Sequence, residues 1–184
     1  MKPIYVTLEF TPNPNTLKYT VNTHLVDRPL SFRSQEEAAA GSPLAAKLLE
    51  VEGIESVLFG KDFVTITKTN DGDWDLVHRE ASKMIESHLS ESLPVLNGDV
   101  STGAAQGALD AVSAQIVEIL DREIRPAVAQ DGGDITFDRF EEGTVYVYLQ
   151  GACSGCPSAT QTLKLGIENR LKQLFPEVRE VRPV

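Results

Sequence analysis

Residues Thr144-Val145-Tyr146-Val147-Tyr148-Leu149-Gln150-Gly151-Ala152-Cys153-Ser154-Gly155-Cys156-Pro157 read as a strand, a tight loop and the start of a helix. Val145, Val147 and Leu149 alternate with Tyr146 and Tyr148, the period of a strand with two distinct faces. Gly155 permits a tight or left-handed turn. Pro157 suits the first helical position, which makes Cys156 the N-cap. Downstream, Leu163, Ile167, Leu171 and Leu174 mark the buried stripe of a helix that runs from Pro157 to about Phe175. Pro176 stops it, and Val178 and Val181 suit a short final strand. Upstream lies a partner strand, Ile135–Phe140, joined through Glu141-Glu142-Gly143. Before that come a turn, Asp131-Gly132-Gly133-Asp134, and a helix from Ala111 to about Ala129. Asp110 caps this helix, Val112, Ile116, Ile119, Leu120 and Ile124 face inward, and Pro126 should kink or shorten it. The expected order is α-β-β-α-(β).

Working outward, residues 93–109 are rich in small residues and lack helical or strand periodicity, as in a flexible linker. They separate an N-terminal domain, 1–92, from a C-terminal domain, 110–184. In the first, Ile4, Val6, Leu8 and Phe10 form a half-buried strand. Thr11-Pro12-Asn13-Pro14-Asn15 makes a turn, and Leu17, Tyr19 and Val21 make a hairpin partner. Residues 43–51 suit a short helix capped by Ser42, and Val57-Leu58-Phe59 pairs with Phe63-Val64-Thr65-Ile66-Thr67. A helix over Trp74–Leu89 follows, capped by Asp73, with Leu76, Val77, Met84, Ile85 and Leu89 on a stripe. The fold class is α/β in the broad sense (α+β): two small domains, the first with a mostly antiparallel sheet.

The chain has 184 residues and a formal net charge of −10. That charge disfavours nucleic acid and anionic membrane as general partners. No segment has the run of about 18 apolar residues that a membrane helix requires. The opening stretch reads as a strand and not as a signal or transit peptide. The expected location is cytoplasmic, or the mitochondrial matrix for an already processed form.

Cys153 and Cys156 are the two cysteines of the chain. Free N–H groups and the helix dipole at the start of the last helix should lower a thiol pKa and favour an anionic ligand set. Two thiolates are half of a tetrahedral metal site or an iron–sulfur site. Zinc within one chain lacks its other ligands, since His24, His78 and His88 all lie in the first half. A redox dithiol fits the helix start, but the architecture before it is a hairpin without a parallel crossover. Two copies meeting on a twofold axis supply four thiolates, to a cluster or to zinc. The bland reading is a pair of inert buried thiols, for which the loop offers little core.

Gly151-Ala152-Cys153-Ser154-Gly155-Cys156-Pro157-Ser158-Ala159-Thr160, preceded by Arg125-Pro126 and Asp131-Gly132-Gly133-Asp134, closely resembles the C-terminal domain of the NifU/Nfu family of iron–sulfur cluster scaffold and carrier proteins. Phe10-Thr11-Pro12-Asn13-Pro14-Asn15-Thr16-Leu17-Lys18-Tyr19 and Phe59-Gly60-Lys61-Asp62-Phe63-Val64-Thr65-Ile66 resemble the N-terminal domain of two-domain Nfu proteins. The resemblance implies a carrier, not an enzyme. It implies a 4Fe-4S cluster, with a 2Fe-2S form as the alternative, held between two subunits by Cys153 and Cys156 of each. It also implies a homodimer when cluster-bound, upstream assembly machinery, and apo iron–sulfur clients that take the cluster by thiolate exchange at an exposed loop. A thiol–disulfide oxidoreductase is the alternative. The first domain, without a catalytic constellation, reads as a docking module. Asp131, Gly132, Gly133 and Asp134 are expected to form a turn, with the shaping of a cluster pocket or docking face as the alternative; Tyr146 and Tyr148 to pack against a helix or cover the sheet, with a partner face as the alternative; Lys164 and Arg170 to be surface residues, with client contact as the alternative; His24, His78 and His88 to be surface or packing residues; and Asn13-Pro14-Asn15 to be a plain β-turn, with a client-recognition loop as the alternative.

Overall fold

The computed structural model describes residues 3–98, 110–154 and 157–184, with the side chains of 157–159 excepted. The chain divides into two compact units, residues 1–103 and 104–184.

The first unit is a five-stranded sheet in the order β1-β2-β5-β4-β3. Its strands are β1 (Val6–Phe10), β2 (Thr16–Val21), β3 (Leu30–Phe32), β4 (Ile54–Phe59) and β5 (Phe63–Lys68). Every pairing is antiparallel. Helices α1 (Gln35–Gly41), α2 (Pro43–Leu49) and α3 (Trp74–Ser90) complete the unit. Tyr19, Leu44, Leu48, Phe59, Ile66 and Ile85 are fully buried in its core. On α3 the buried line is Val77, Ala81, Ile85 and Leu89, a spacing of four. Asp73 caps α3 by accepting from Asp75 N, and Ser42 caps α2 by accepting from Ala45 N.

Two elements were not foreseen, β3 and α1. The signal for α1 was present. Ser34 Oγ accepts from Glu37 N at 3.2 Å, and the Glu37 carboxylate accepts from Arg33 N, a variant of the capping box. Phe10, expected to be half-buried, is 86% exposed at the end of the edge strand β1.

Residues 93–98, expected to open a flexible linker, are instead docked on the first unit. Val95 and Leu96 pack against its core. Asn97 N donates to Gly41 O, and Asn97 Nδ2 donates to Ala39 O and Ala40 O. These bonds satisfy carbonyls at the C-terminal end of α1 that lack a partner within the helix. Ser42 Oγ donates to Val95 O, and His88 Nε2 contacts Pro94 O at 2.9 Å. The rest of the expected linker, residues 99–109, lies outside the described residues.

The second unit runs α4 (Ala111–Ile119), a π-helical turn (Leu120–Ile124), α5 (Arg125–Gln130), β6 (Gly133–Glu141), β7 (Thr144–Gly151), α6 (Pro157–Leu174) and β8 (Glu180–Pro183). The sheet order is β6-β7-β8; β6 and β7 are antiparallel, β7 and β8 parallel. Pro126 is the physical reason for the widened turn. It has no N–H to donate to the carbonyl of Arg122, and its ring would clash there, so the helix opens before it. The core joins Ile116, Leu120, Ile135, Val145, Val147, Ile167 and Leu171 from both faces of contact. Leu174, expected on the buried stripe of α6, is 40% exposed, and Phe175 takes the inward place.

Candidate functional site

Between β7 and β8 the chain crosses over through the cysteine loop and α6. The hairpin β6–β7 upstream matches the expected architecture. The loop itself, however, opens a β-α-β crossover, which the sequence did not reveal. It sits at the carboxyl end of β7, where ligands of open sheets usually bind.

Gly151 ends β7 with φ 60°, and Gly132 precedes β6 with φ 77°, both in the left-handed region where glycine is favoured. They let the two strand ends approach. Ala152 N donates to Gly132 O at 3.2 Å and Cys153 N to Gln150 O at 3.3 Å. Ser154 Oγ donates to Gly151 O at 2.8 Å, and Thr160 Oγ1 from α6 donates to Cys153 O at 3.2 Å.

The structure turns Cys153 inward. It is 7% exposed and belongs to the core of the second unit. A Cβ added at Gly133 would lie 2.2 Å from Cys153 Sγ. Burial, and then the carboxylates of Asp131 and Asp134, push the Cys153 thiol up to about 12. The expected lowering of the thiol pKa and the expected exposed loop therefore do not hold for Cys153 here. The reason is that the strand end carries the sulfur back against β6 instead of outward. Cys156, the other expected ligand, lies outside the described residues. Among the described residues, no three His, Cys, Asp or Glu side chains converge to hold a metal ion.

Asp134 is 1% exposed and lies in β6, where a turn residue was expected. Arg125 grips it with Nε at 2.9 Å and its second terminal nitrogen at 3.1 Å, while the first terminal nitrogen reaches Asp121 at 2.8 Å. This fork pins the start of β6, and with it the seat of Cys153, to the helical segment before it. Gly133 and Asp134, whose alternative reading is the shaping of a pocket, lie beside Cys153, whereas Arg125 and Thr160 are site residues whose parts the sequence did not show. The adjacent Gly132-Gly133 was the available signal, since a strand glycine often marks a close approach of another part of the chain.

Most of the remaining candidates have structural partners. His78 stacks on Tyr19 with centroids 5.8 Å apart, His24 meets Asp27 at 3.0 Å on the surface, and His88 is buried. Lys164 pairs with Glu180, and Arg170 with Glu123 at 2.7 Å. Tyr146 lies beneath the Arg139 guanidinium, 3.9 Å from its ring centre, and Tyr148 is 45% exposed. Asn13 Oδ1 accepts from Asn15 N at 3.0 Å, as in a local turn.

Residues 6–92 match the family model described as "Scaffold protein Nfu/NifU N terminal", and residues 116–182 match "NifU-like domain". Over 98% of its length the chain is 40% identical to the human protein named "NFU1 iron-sulfur cluster scaffold homolog, mitochondrial", of which it covers 72%. The chain belongs to the Nfu family. The Nfu relative of the same name from Drosophila grimshawi is 38% identical, with 98% of this chain and 61% of that protein covered. A NifU-like protein from Saccharomyces cerevisiae matches in structure with a TM-score of 0.48 and 22% identity over 54% of this chain and 89% of that one.

Proposed function

We propose that this Nfu chain is an iron–sulfur cluster scaffold and carrier that holds a 4Fe-4S cluster between two copies of itself. The cluster is cargo, and Cys153 and Cys156 of each copy are its ligands. The observation that supports this reading is the placement of the chain's two thiols in one strand-to-helix loop of a protein 40% identical to a named iron–sulfur cluster scaffold. Soft thiolates suit iron. Two per chain leave the cluster dependent on a second copy, so neither chain retains it by itself.

Transfer then proceeds by ligand exchange with no net redox change. Each incoming client thiolate forms an iron–sulfur bond as one carrier thiolate leaves and takes up a proton. The first unit docks upstream machinery or apo clients. The relatives' printed names carry the word mitochondrial, which favours a processed mitochondrial form over the bacterial cytoplasm. A thiol–disulfide oxidoreductase remains the second reading, favoured by the β-α-β crossover around the loop. An attacking thiol has to be reachable and Cys153 is buried, so this reading, like the carrier reading, requires the sulfur to be exposed first.

Anaerobic reconstitution with iron and sulfide, followed by metal and sulfide analysis and size exclusion, is the test. About four irons and four sulfides per two chains in a brown dimer are expected. Cys153→Ser and Cys156→Ser should each abolish uptake while far-ultraviolet circular dichroism stays native. A colourless monomer whose thiols cycle to an intramolecular disulfide would overturn the reading.

A further inference from the structure

We infer that the unloaded chain keeps Cys153 in a closed seat formed by Gly133, and that this seat opens before the sulfur ligates anything. The inference rests on reading Cys153 as a cluster ligand and adds how access to that ligand is controlled.

The seat is defined by space. A methyl group on residue 133 would lie 2.2 Å from Cys153 Sγ and 3.2 Å from both its Cβ and its N. Gly133 is not among the glycines with positive φ, unlike its neighbour Gly132. A side chain at 133 is therefore excluded by the sulfur and not by the backbone. Gly133 is also the register partner of Gly151 in β6–β7, so the sulfur rests on a bare stretch of the paired strand ends.

The loop is then fastened over the sulfur. Ala152 N is bonded to Gly132 O, Cys153 N to Gln150 O, and Thr160 Oγ1 ties the Cys153 carbonyl to α6. The Arg125–Asp134 fork holds the other wall in place. A cluster shared with a second copy needs sulfur at the surface. A sulfur inside the domain core cannot bridge to another chain. Loading and release therefore require residues 151–154 to swing away from β6. Local opening of a short hydrogen-bonded loop of this kind costs only part of the global unfolding free energy.

The test uses thiol kinetics on the full unloaded chain. Cys156→Ser leaves Cys153 as its one thiol. Its reaction with dithiobis(nitrobenzoate) should level off with reagent concentration, because opening becomes limiting. It should also run at least about tenfold slower than in the urea-unfolded chain. Gly133→Ala in the same background fills the seat and should speed the reaction about tenfold or more, the scale of core overpacking strain. Thr160→Val removes one fastening without crowding the strand and should speed it by a smaller factor, which keeps the test open if Gly133→Ala fails to fold. With both cysteines present, Thr160→Val should also take up iron and sulfide faster than the parent chain. A rate linear in reagent, equal to that of the unfolded chain and unmoved by either substitution, would overturn the seat. A freely reactive thiol in a chain that loads a cluster defeats the seat and leaves the carrier reading standing. A protected thiol in a chain that never takes up iron and sulfide supports the seat and defeats the carrier reading.

Discussion

Arg125 and Asp134 show how much a single pair of residues decides at the site. The Asp134 side chain is 2% exposed and that of Arg125 23% exposed, so the pair is largely removed from solvent. Removing one partner of such a pair leaves the other charge buried, at a cost of about 3 kcal/mol. Arg125→Ala is expected to lower the stability of the second unit by about that amount, read from its urea midpoint, and Arg125→Ala/Asp134→Ala should recover part of it. A single substitution costing under about 0.5 kcal/mol, the range of ordinary surface changes, would show that Asp134 is solvated instead. None of this could be read from Asp131-Gly132-Gly133-Asp134, in which both aspartates looked alike. The strand register, which buries Asp134 beside Arg125, separates them.

Among the elements, the helical segment 111–130 and α6 are joined by charge as well as by core. Arg170 of α6 donates to both Glu123 oxygens, at 2.7 and 3.2 Å. Hydrogen bonds from Arg170 and then Arg122 hold the Glu123 carboxyl near 2, below its ordinary 4.5. A carboxylate with a lowered pKa in the fold contributes stability above its ordinary value, which is lost as pH falls toward the folded value. Glu123→Gln should therefore flatten the pH dependence of unfolding between about 4.5 and 2 and leave the slope near neutral pH unchanged. An unaltered acid limb in urea titrations would remove this pair from the account. In the first unit, Ser42 closes two junctions at once, capping α2 and bonding Val95 of the docked segment. Ser42→Ala should cost about 1 kcal/mol or more by thermal unfolding, the scale of a lost cap. Hydrogen exchange should also quicken at Asn97, whose N–H bonds Gly41 O.

At the scale of the whole molecule, each unit has its own hydrophobic core. Trp74, the single tryptophan of the chain, reports on the first, and Cys153, as the one thiol of the Cys156→Ser background, on the second. Leu171→Ala, which empties a fully buried position, should destabilise the second unit by about 3 kcal/mol. Thiol exposure in urea should shift to lower concentration while the Trp74 fluorescence midpoint stays in place. A common shift of both probes would show one cooperative unit instead. The sequence by itself determined the α/β class, the hairpins, the capped helices and the loop that carries both cysteines. These follow from periodicity, turn residues and caps, which act over a few neighbouring residues. Tertiary structure decided the parallel pairing of β8 with β7, the docking of residues 93–98 and the burial of Cys153 against Gly133. Each depends on atoms distant along the chain competing for the same space, and no local pattern records that competition.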